Sequence, residues 1–208
     1  MKQLKWASGR VVDILDTNEF EDSLVCTLTS PIIVIGPPRS GTSTVARILS
    51  MYFGVKMGTS FAKPDERNPG GFWEDIDLIK TNNAFWKGDI NFEQWTIRFL
   101  DFIEKMQNLN VPWGFKEPRI CAYFGLVLGF FNNPTIIRCK RLKKLVALSH
   151  EKALNRKKEE KISIDRDEII LDRILKYWPH ILIEFNKQLS DKDVIKRIVK
   201  QGNELNAS

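Results

Sequence analysis

Residues 31–44 read PIIVIGPPRSGTST, and they contain the clearest structural pattern in the chain. The run from Pro31 to Ile35 is apolar and β-branched, which is typical of a buried strand. After the turn Gly36-Pro37-Pro38-Arg39-Ser40-Gly41, apolar side chains recur at helical spacing from Thr42 to Phe53. The stretch therefore predicts a buried strand, a glycine-containing turn and a helix.

The turn has the spacing of a P-loop, with Gly36 and Gly41 separated by four residues and followed by Thr42-Ser43. In such a loop, backbone N–H groups converge on an anion, and the positive end of the helix dipole strengthens the attraction. The pattern favours a phosphate or sulfate group as ligand, although an ordinary strand-to-helix turn is the simpler alternative. P-loops that use ATP or GTP carry Lys where this chain has Thr42, and a strand-end Asp where residues 135–140 end in cations.

Alternating patterns continue along the chain. Strand-like runs at 113–116, 135–140 and 181–185 are separated by helical patterns at 120–130, 142–157 and 165–177. Residues 54–74 predict a long loop before a helix that starts at Asp75, and residues 92–106 predict an amphipathic helix. Short strands are possible at 11–15 and 24–28. This alternation predicts a three-layer α/β P-loop fold, with a central parallel sheet flanked by helices.

Composition excludes several classes of protein. The 208 residues are 43% hydrophobic, enough for a core and against general disorder. The longest apolar run, Phe124 to Phe131, is far shorter than the roughly 20 residues of a membrane span. Because the first 20 residues also lack a signal-peptide pattern and only three cysteines occur, we expect a cytoplasmic protein without a transmembrane segment. The net charge of +6 predicts attraction to anions, whether nucleic acid, membrane surface or a charged small molecule.

Five motifs occur in order along the chain: the loop 36–43, the segment NPGGFWE at 68–74, the segment WGFKEPR at 113–119, Arg141 with Ser149, and residues 181–191. Together they resemble the motifs of sulfotransferases that use 3′-phosphoadenosine-5′-phosphosulfate (PAPS). The resemblance to the bacterial and tyrosylprotein-type members covers residues 31 to about 200. It implies one domain over 1–208, with 1–30 as an N-terminal extension and 54–110 as an insertion on the acceptor side.

The resemblance also implies roles for individual residues. The 5′-phosphosulfate would contact Pro38, Arg39, Ser40, Gly41, Thr42, Ser43 and Thr44. The 3′-phosphate would contact Arg141 and Ser149. Lys116 and Arg39 would stabilise the charge that develops during transfer, Glu74 would act as general base, and no metal would be required.

Several of these positions depart from the family pattern or have simpler interpretations. Arg141 is followed by Leu142-Lys143 rather than Asp-Pro, so Arg138 or Lys140 could grip the 3′-phosphate instead. Phe185-Asn186 stands where the family has Tyr-Glu. Lys116 could be a solvated strand-end lysine, and Glu74 could be a helix N-terminal charge. Neither histidine, His150 or His180, falls where the cytosolic small-molecule members place their catalytic histidine.

The aromatic residues around Glu74 have two interpretations, an acceptor pocket or core packing against the sheet, and core packing is the more common. They are Phe72, Trp73, Phe85, Trp86, Phe92, Trp95 and Phe99. The acceptor stays open among carbohydrate, lipid, peptide and small alcohol.

Other functions also fit the sequence. A P-loop kinase for a nucleoside or small molecule is the alternative enzyme. A non-catalytic module that binds anions or nucleic acid is the alternative from another class, because basic residues cluster between Lys143 and Lys158. Aromatic residues do not interleave with these cations, so a nucleic-acid partner is not expected. A family member that binds nucleotide without turnover is a further possibility.

Overall fold

The computed structural model describes the backbone of residues 2–5, 11–14, 30–65, 68–154 and 159–207. In chain order the strands and helices are β1 (Lys2–Lys5), β2 (Val11–Ile14), β3 (Ile32–Ile35), α1 (Thr42–Tyr52), α2 (Ile76–Lys87), α3 (Phe92–Gln107), β4 (Gly114–Lys116), a 3-10 helix (Pro118–Tyr123), α4 (Phe124–Leu128), β5 (Thr135–Arg141), α5 (Lys143–Leu154), α6 (Glu159–Leu175), β6 (Ile181–Phe185) and α7 (Asp191–Asn206).

Four strands form a parallel sheet in the order β4-β3-β5-β6. Ile32 on β3 lies opposite Gly114 on β4 and Thr135 on β5, and Ile137 on β5 lies opposite Ile181 on β6. After β3 the chain forms β4 on one side of it and then β5 on the other side. The carboxyl end of β3 is therefore a point where the strand order reverses, and crevices at such points hold ligands in open α/β sheets.

Strand β3 is buried on both faces, since Ile32, Ile33, Val34 and Ile35 are all fully inaccessible to solvent. Ile33 and Ile35 pack into a core with side chains of α2, α3, α4 and α6. Ile32 and Val34 pack on the opposite face with α1 and α7. The sheet is thus covered on both faces by helices, and the predicted three-layer α/β fold is confirmed.

The four predicted sheet strands and the long loop before α2 are also confirmed. Helix α2 begins where the sequence predicts, because the Asp75 carboxylate accepts hydrogen bonds from the backbone N–H groups of Asp77 and Leu78. Helix α3 begins with a capping box, in which the side chains of Asn91 and Gln94 each accept from the other residue's backbone N–H.

The helix predicted at 120–130 is instead a 3-10 helix followed by the short α4. Glu117 caps the 3-10 helix by accepting from the Arg119 backbone N–H, which fixes a tighter turn than the apolar spacing indicated. Helix α6 begins at Glu159 and ends at Leu175, two residues before the predicted end.

An antiparallel pair is formed by β1 and β2, and β2 falls within the strand predicted at 11–15. The strand predicted at 24–28 lies outside the described residues. Within the described ranges, no helix has both the length and the apolar character to cross a membrane.

Candidate anion-binding and catalytic site

The loop after β3 has a backbone that requires glycine at two positions. Gly41 has φ 100° just before α1, and a Cβ atom there would lie 2.5 Å from the Phe185 ring. A Cβ atom on Gly36 would lie 2.4 Å from the Cys139 carbonyl oxygen. These close approaches place the loop directly against β5 and β6, with the first-turn N–H groups of α1 at the carboxyl edge of the sheet.

A cavity of about 360 Å³ opens at this edge, within the size range of ligand clefts. Its lining combines the loop, the segment before α2, the end of β4 and the end of β5. The lining residues are Pro38, Arg39, Gly41, Thr42, Ser43, Thr44, Asn68, Phe72, Glu74, Lys116, Pro118, Arg119, Arg141 and Ser149. The structure therefore gathers every residue that the sequence predicted for the site except Ser40.

Ser40 lies beneath the loop rather than in the cavity. It is 1% exposed, and its hydroxyl stands 2.6 Å from the position of a Cβ atom on Gly36. Its backbone N–H donates to the Pro37 carbonyl and closes the turn. Ser40 is therefore not among the residues that line the cavity, and its contact with the donor stays a prediction.

Two arginines meet on the side of the cavity nearest β5. Arg39 Nε donates to Ser149 Oγ at 2.9 Å, and Arg141 Nη1 donates to the Arg39 carbonyl at 3.2 Å. Burial lowers the pKa of Arg39, and the charge of Arg141 lowers it further, although Asp65 opposes the shift. Burial also lowers the pKa of Arg141. Two desolvated guanidinium groups that repel each other would be stabilised by an anion between them.

The alternative cations for the 3′-phosphate point elsewhere. Arg138 is 5% exposed and forms ion pairs with Glu168 at 2.7 Å and with Asp172 at 2.6 Å. Lys140 lies 3.7 Å from the same Asp172. Of the three cations that the sequence left open, Arg141 is the one that lines the cavity.

Lys116 and Glu74 form a buried pair at the opposite side of the cavity. Lys116 is 2% exposed and donates to Glu74 Oε1 and, at 2.9 Å, to the Phe72 carbonyl. The interpretation of Lys116 as a solvated lysine is therefore wrong. Glu74 does not cap α2, since Asp75 does so.

A third ionic group, Arg119, joins Glu74 to a deeper carboxylate. Arg119 Nη1 donates to Glu74 Oε2 at 3.1 Å and to both carboxylate oxygens of Glu117, at 2.7 and 2.9 Å. Burial raises the pKa of Glu117, which is fully buried, against the opposing charge of Arg119. Burial acts to lower the pKa of Arg119, but Glu117 and Glu74 outweigh it and raise that pKa.

The segment 68–74 is attached to the first turn of α1, directly after the loop 36–41, which is called the anion loop below. Ser43 Oγ donates to the Phe72 carbonyl at 3.1 Å and accepts from Asn68 Nδ2 at 3.3 Å. Asn68 also donates to the Gly71 carbonyl at 2.7 Å. Since Lys116 donates to the same Phe72 carbonyl, this carbonyl links the first turn of α1 to β4.

Four lining residues were not predicted as site residues: Asn68, Phe72, Pro118 and Arg119. Each belongs to a motif quoted for the sulfotransferase resemblance, so the signal that could have found them was membership of those motifs. Among the aromatic residues near Glu74, Phe72 lines the cavity, while Trp95 and Phe99 are fully buried core. Among the described residues, no group of three or more His, Cys, Asp or Glu could hold a metal ion.

No protein-family model and no curated protein matches the chain. One solved structure that matches is a "putative kinase" from Chloroflexus aurantiacus J-10-fl, 10% identical, over 85% of this chain and 97% of that chain. Its TM-score of 0.41 is too low for the likeness to carry an argument about activity.

Proposed function

We propose that the protein is a PAPS-dependent sulfotransferase that moves a sulfuryl group to a hydroxyl or amine acceptor. The observation that carries the proposal is one cavity in which the anion loop and the Arg39–Arg141 pair face the Lys116–Glu74 pair. This arrangement supports an anionic donor with phosphates at two separate positions, next to a paired cation and carboxylate.

In this proposal the loop and the two arginines bind the donor. The N–H groups at the start of α1, with Thr42, Ser43 and Thr44, would hold the 5′-phosphosulfate. Arg141 and Ser149 would hold the 3′-phosphate, and Arg39 would lie between the two anions because it contacts Ser149. The lowered pKa values support this role, since an anion would offset the burial of both guanidinium groups and the repulsion that Arg141 exerts on Arg39.

The transfer step breaks the bond between sulfur and the 5′-phosphate oxygen and forms a bond between sulfur and the acceptor atom. Lys116, which is 2% exposed, would neutralise the charge that develops on the leaving oxygen. Glu74 would accept the proton of the acceptor through a carboxylate oxygen. For both steps, the contact between Lys116 and Glu74 has to open when the substrates bind.

The proposal extends to the setting of the reaction. We place the protein in the cytoplasm, because few cysteines occur and the described Cys121 and Cys139 are buried free thiols. The acceptor would meet residues of the proposed acceptor-side region 54–110, among which Asn68, Phe72 and Glu74 line the cavity. A metal-independent reaction is part of the proposal.

A P-loop kinase is the second candidate, because the glycine spacing and the parallel sheet suit phosphoryl transfer as well. The structural neighbour is described as a "putative kinase", but its TM-score of 0.41 means that this description supports neither candidate. Against a kinase, Thr42 stands at the position of the P-loop lysine and β5 ends in cations rather than Asp.

Ligand-dependent melting distinguishes the two candidates. We expect 3′,5′-bisphosphoadenosine to raise the melting temperature and ATP with magnesium to leave it unchanged, since only a ligand of the folded state stabilises it. Transfer of ³⁵S from PAPS to an acceptor panel should require Lys116, so Lys116→Ala should lose activity while Lys105→Ala, at an exposed ion pair, keeps it.

Three results would contradict the proposal. Magnesium-dependent ATP turnover without bisphosphoadenosine binding would favour the kinase. Tight bisphosphoadenosine binding without transfer to any acceptor would indicate a nucleotide-binding protein that has lost catalysis. Salt-sensitive binding to RNA or DNA alone would favour the nucleic-acid module.

A further inference from the structure

We infer that Arg119 is a positioning residue that holds the Glu74 carboxylate in place, with Glu117 as the buried anchor of its guanidinium. The inference rests on the proposed function, because that function gives Glu74 its role as general base. Neither Arg119 nor Glu117 was predicted from the sequence as part of the site.

The geometry links the three side chains in one line from the core to the cavity. Glu117 has no solvent exposure, and both of its oxygens accept from Arg119 Nη1. The same Nη1 atom donates to Glu74 Oε2, while Lys116 occupies Glu74 Oε1. Each carboxylate oxygen of Glu74 thus has its own cation, which fixes both the position and the rotation of the group.

The anchor explains why the guanidinium can act as a fixed support. The Arg119 side chain is 34% exposed, so without a partner it would be free to sample several rotamers at the cavity wall. Glu117 binds it through two hydrogen bonds and also accepts from the Arg119 backbone N–H at 3.0 Å. Because the guanidinium is already fixed, it holds Glu74 Oε2 in place before substrates bind, and little conformational entropy is lost when they do.

A simpler role for Arg119 is to neutralise the buried Glu117. A buried carboxylate without a cation is strongly destabilising, so Arg119→Met alone could fail to fold and would not separate the two roles. Arg119→Met combined with Glu117→Gln removes both charges together. The local net charge is therefore unchanged, and of the contacts of Glu74 the double variant loses only the hydrogen bond from Arg119.

The experiment measures four properties of Arg119→Met/Glu117→Gln: melting temperature, affinity for bisphosphoadenosine, steady-state transfer from PAPS, and the crystal structure. We expect a folded protein with unchanged bisphosphoadenosine affinity and a kcat about 100-fold lower, the typical effect of misplacing a catalytic group by about 1 Å. In the crystal structure, Glu74 Oε1 should keep its contact with Lys116, while the carboxylate turns so that Oε2 leaves its present position. Arg119→Lys should recover only part of kcat, because a strongly hydrated ammonium on a flexible side chain holds Glu117 and Glu74 less rigidly than the planar guanidinium does.

The matched control removes an exposed ion pair of the same type, Lys105→Met with Asp77→Asn, and should change none of these properties. The inference is overturned if the Arg119→Met/Glu117→Gln variant keeps full kcat or if Glu74 keeps its orientation. If wild-type protein transfers no sulfuryl group, the proposed function fails, and the orientation of Glu74 in the crystal structure still decides the role of Arg119.

Discussion

Lys116 and Glu74 are placed so that each limits the other. The ammonium group donates to the carboxylate and to the Phe72 carbonyl, which leaves one of its three protons for a ligand. In the proposed reaction the same ammonium has to face a donor anion. Glu74 therefore holds Lys116 in the unliganded protein and would compete for it with a donor that binds.

This competition predicts that Glu74→Gln binds bisphosphoadenosine more tightly while it loses sulfuryl transfer. Removing one negative charge from the cavity should strengthen binding about fivefold, which corresponds to about 1 kcal/mol for a partly screened ion pair. Isothermal titration calorimetry measures the affinity. Asp77→Asn, an isosteric change at an exposed carboxylate, is the control and should leave binding as it is. Weaker binding by Glu74→Gln would show that the carboxylate supports the donor site instead.

Cysteine chemistry gives a second prediction for single residues. Cys121 and Cys139 are fully buried, and burial raises the pKa of both thiols. A raised thiol pKa means that less thiolate is present at pH 8, and the thiolate is the reactive form. Labelling by iodoacetamide should therefore be more than about 1,000-fold slower in the folded protein than in urea, because reaction requires global opening.

Peptide mapping by mass spectrometry assigns the label to each cysteine. Rapid labelling of Cys139 in the folded protein would mean that β5 opens locally. Because the Cys139 carbonyl lies against Gly36, such opening should also expose the anion loop, and bisphosphoadenosine should slow it.

At the level of strands and helices, the anion loop depends on an aromatic ring from the last strand. Phe185 stands where the sulfotransferases that the sequence resembles carry Tyr, and its ring lies against Gly41. The ring therefore supports the backbone conformation that presents the N–H groups of α1.

We predict that Phe185→Leu lowers both stability and affinity for bisphosphoadenosine. The smaller side chain leaves a gap under Gly41 and should cost about 1–2 kcal/mol of unfolding free energy, while the loosened loop should bind about tenfold more weakly. Ile183→Val is the control, because this residue lies on the same strand in the same core cluster. It should cost about 1 kcal/mol without any change in affinity. Equal affinities for both variants would contradict a specific role for the ring.

The capping box of α3 gives a prediction about stability alone. Asn91→Ala removes the acceptor of the Gln94 N–H and should lower the free energy of unfolding by about 1 kcal/mol. Urea denaturation measures the change. Arg98→Ala, at an exposed position of the same helix, should stay within about 0.5 kcal/mol of wild type. Neither variant should alter bisphosphoadenosine binding, since α3 lies away from the residues that line the cavity.

Local patterns in the sequence predicted the elements that local physics determines. The apolar run of β3 and the turn after it were predictable because strand period, glycine spacing and helix period are all short-range signals. The 3-10 helix after β4 was not, since its geometry comes from the Glu117 side chain accepting the Arg119 N–H. A spacing of two residues gives no hint of which rotamer the carboxylate adopts.

The sequence predicted which residues line the cavity better than it predicted which side chains contact one another. The order of the motifs predicts that Arg39, Lys116 and Arg141 lie together, and all three line the cavity. The choice between Arg138 and Arg141 required the structure, because the carboxylates that occupy Arg138 come from α6, far along the chain. The burial of Ser40 was not predictable for a similar reason, because it depends on how closely the loop approaches β5.

For the molecule as a whole, the distribution of charge is more informative than the net value of +6. Arg138 and Lys143 are paired with carboxylates of α6, at 2.7 and 2.8 Å. Arg39 and Arg141 repel each other at the cavity. Among the described residues, these two arginines line the crevice at the carboxyl edge of the sheet, where an anion would relieve their repulsion.

The contact between Phe185 and Gly41 also sets an order of events during synthesis. The loop 36–41 leaves the ribosome early, but the ring that supports it belongs to β6 and arrives only after about 140 further residues have been translated. At a translation rate of about 5–20 residues per second, several seconds or more pass between the synthesis of the anion loop and that of Phe185. Nascent chains stalled before Ile181 should therefore fail to retain bisphosphoadenosine. The loop would thus gain this support long after its own residues are made.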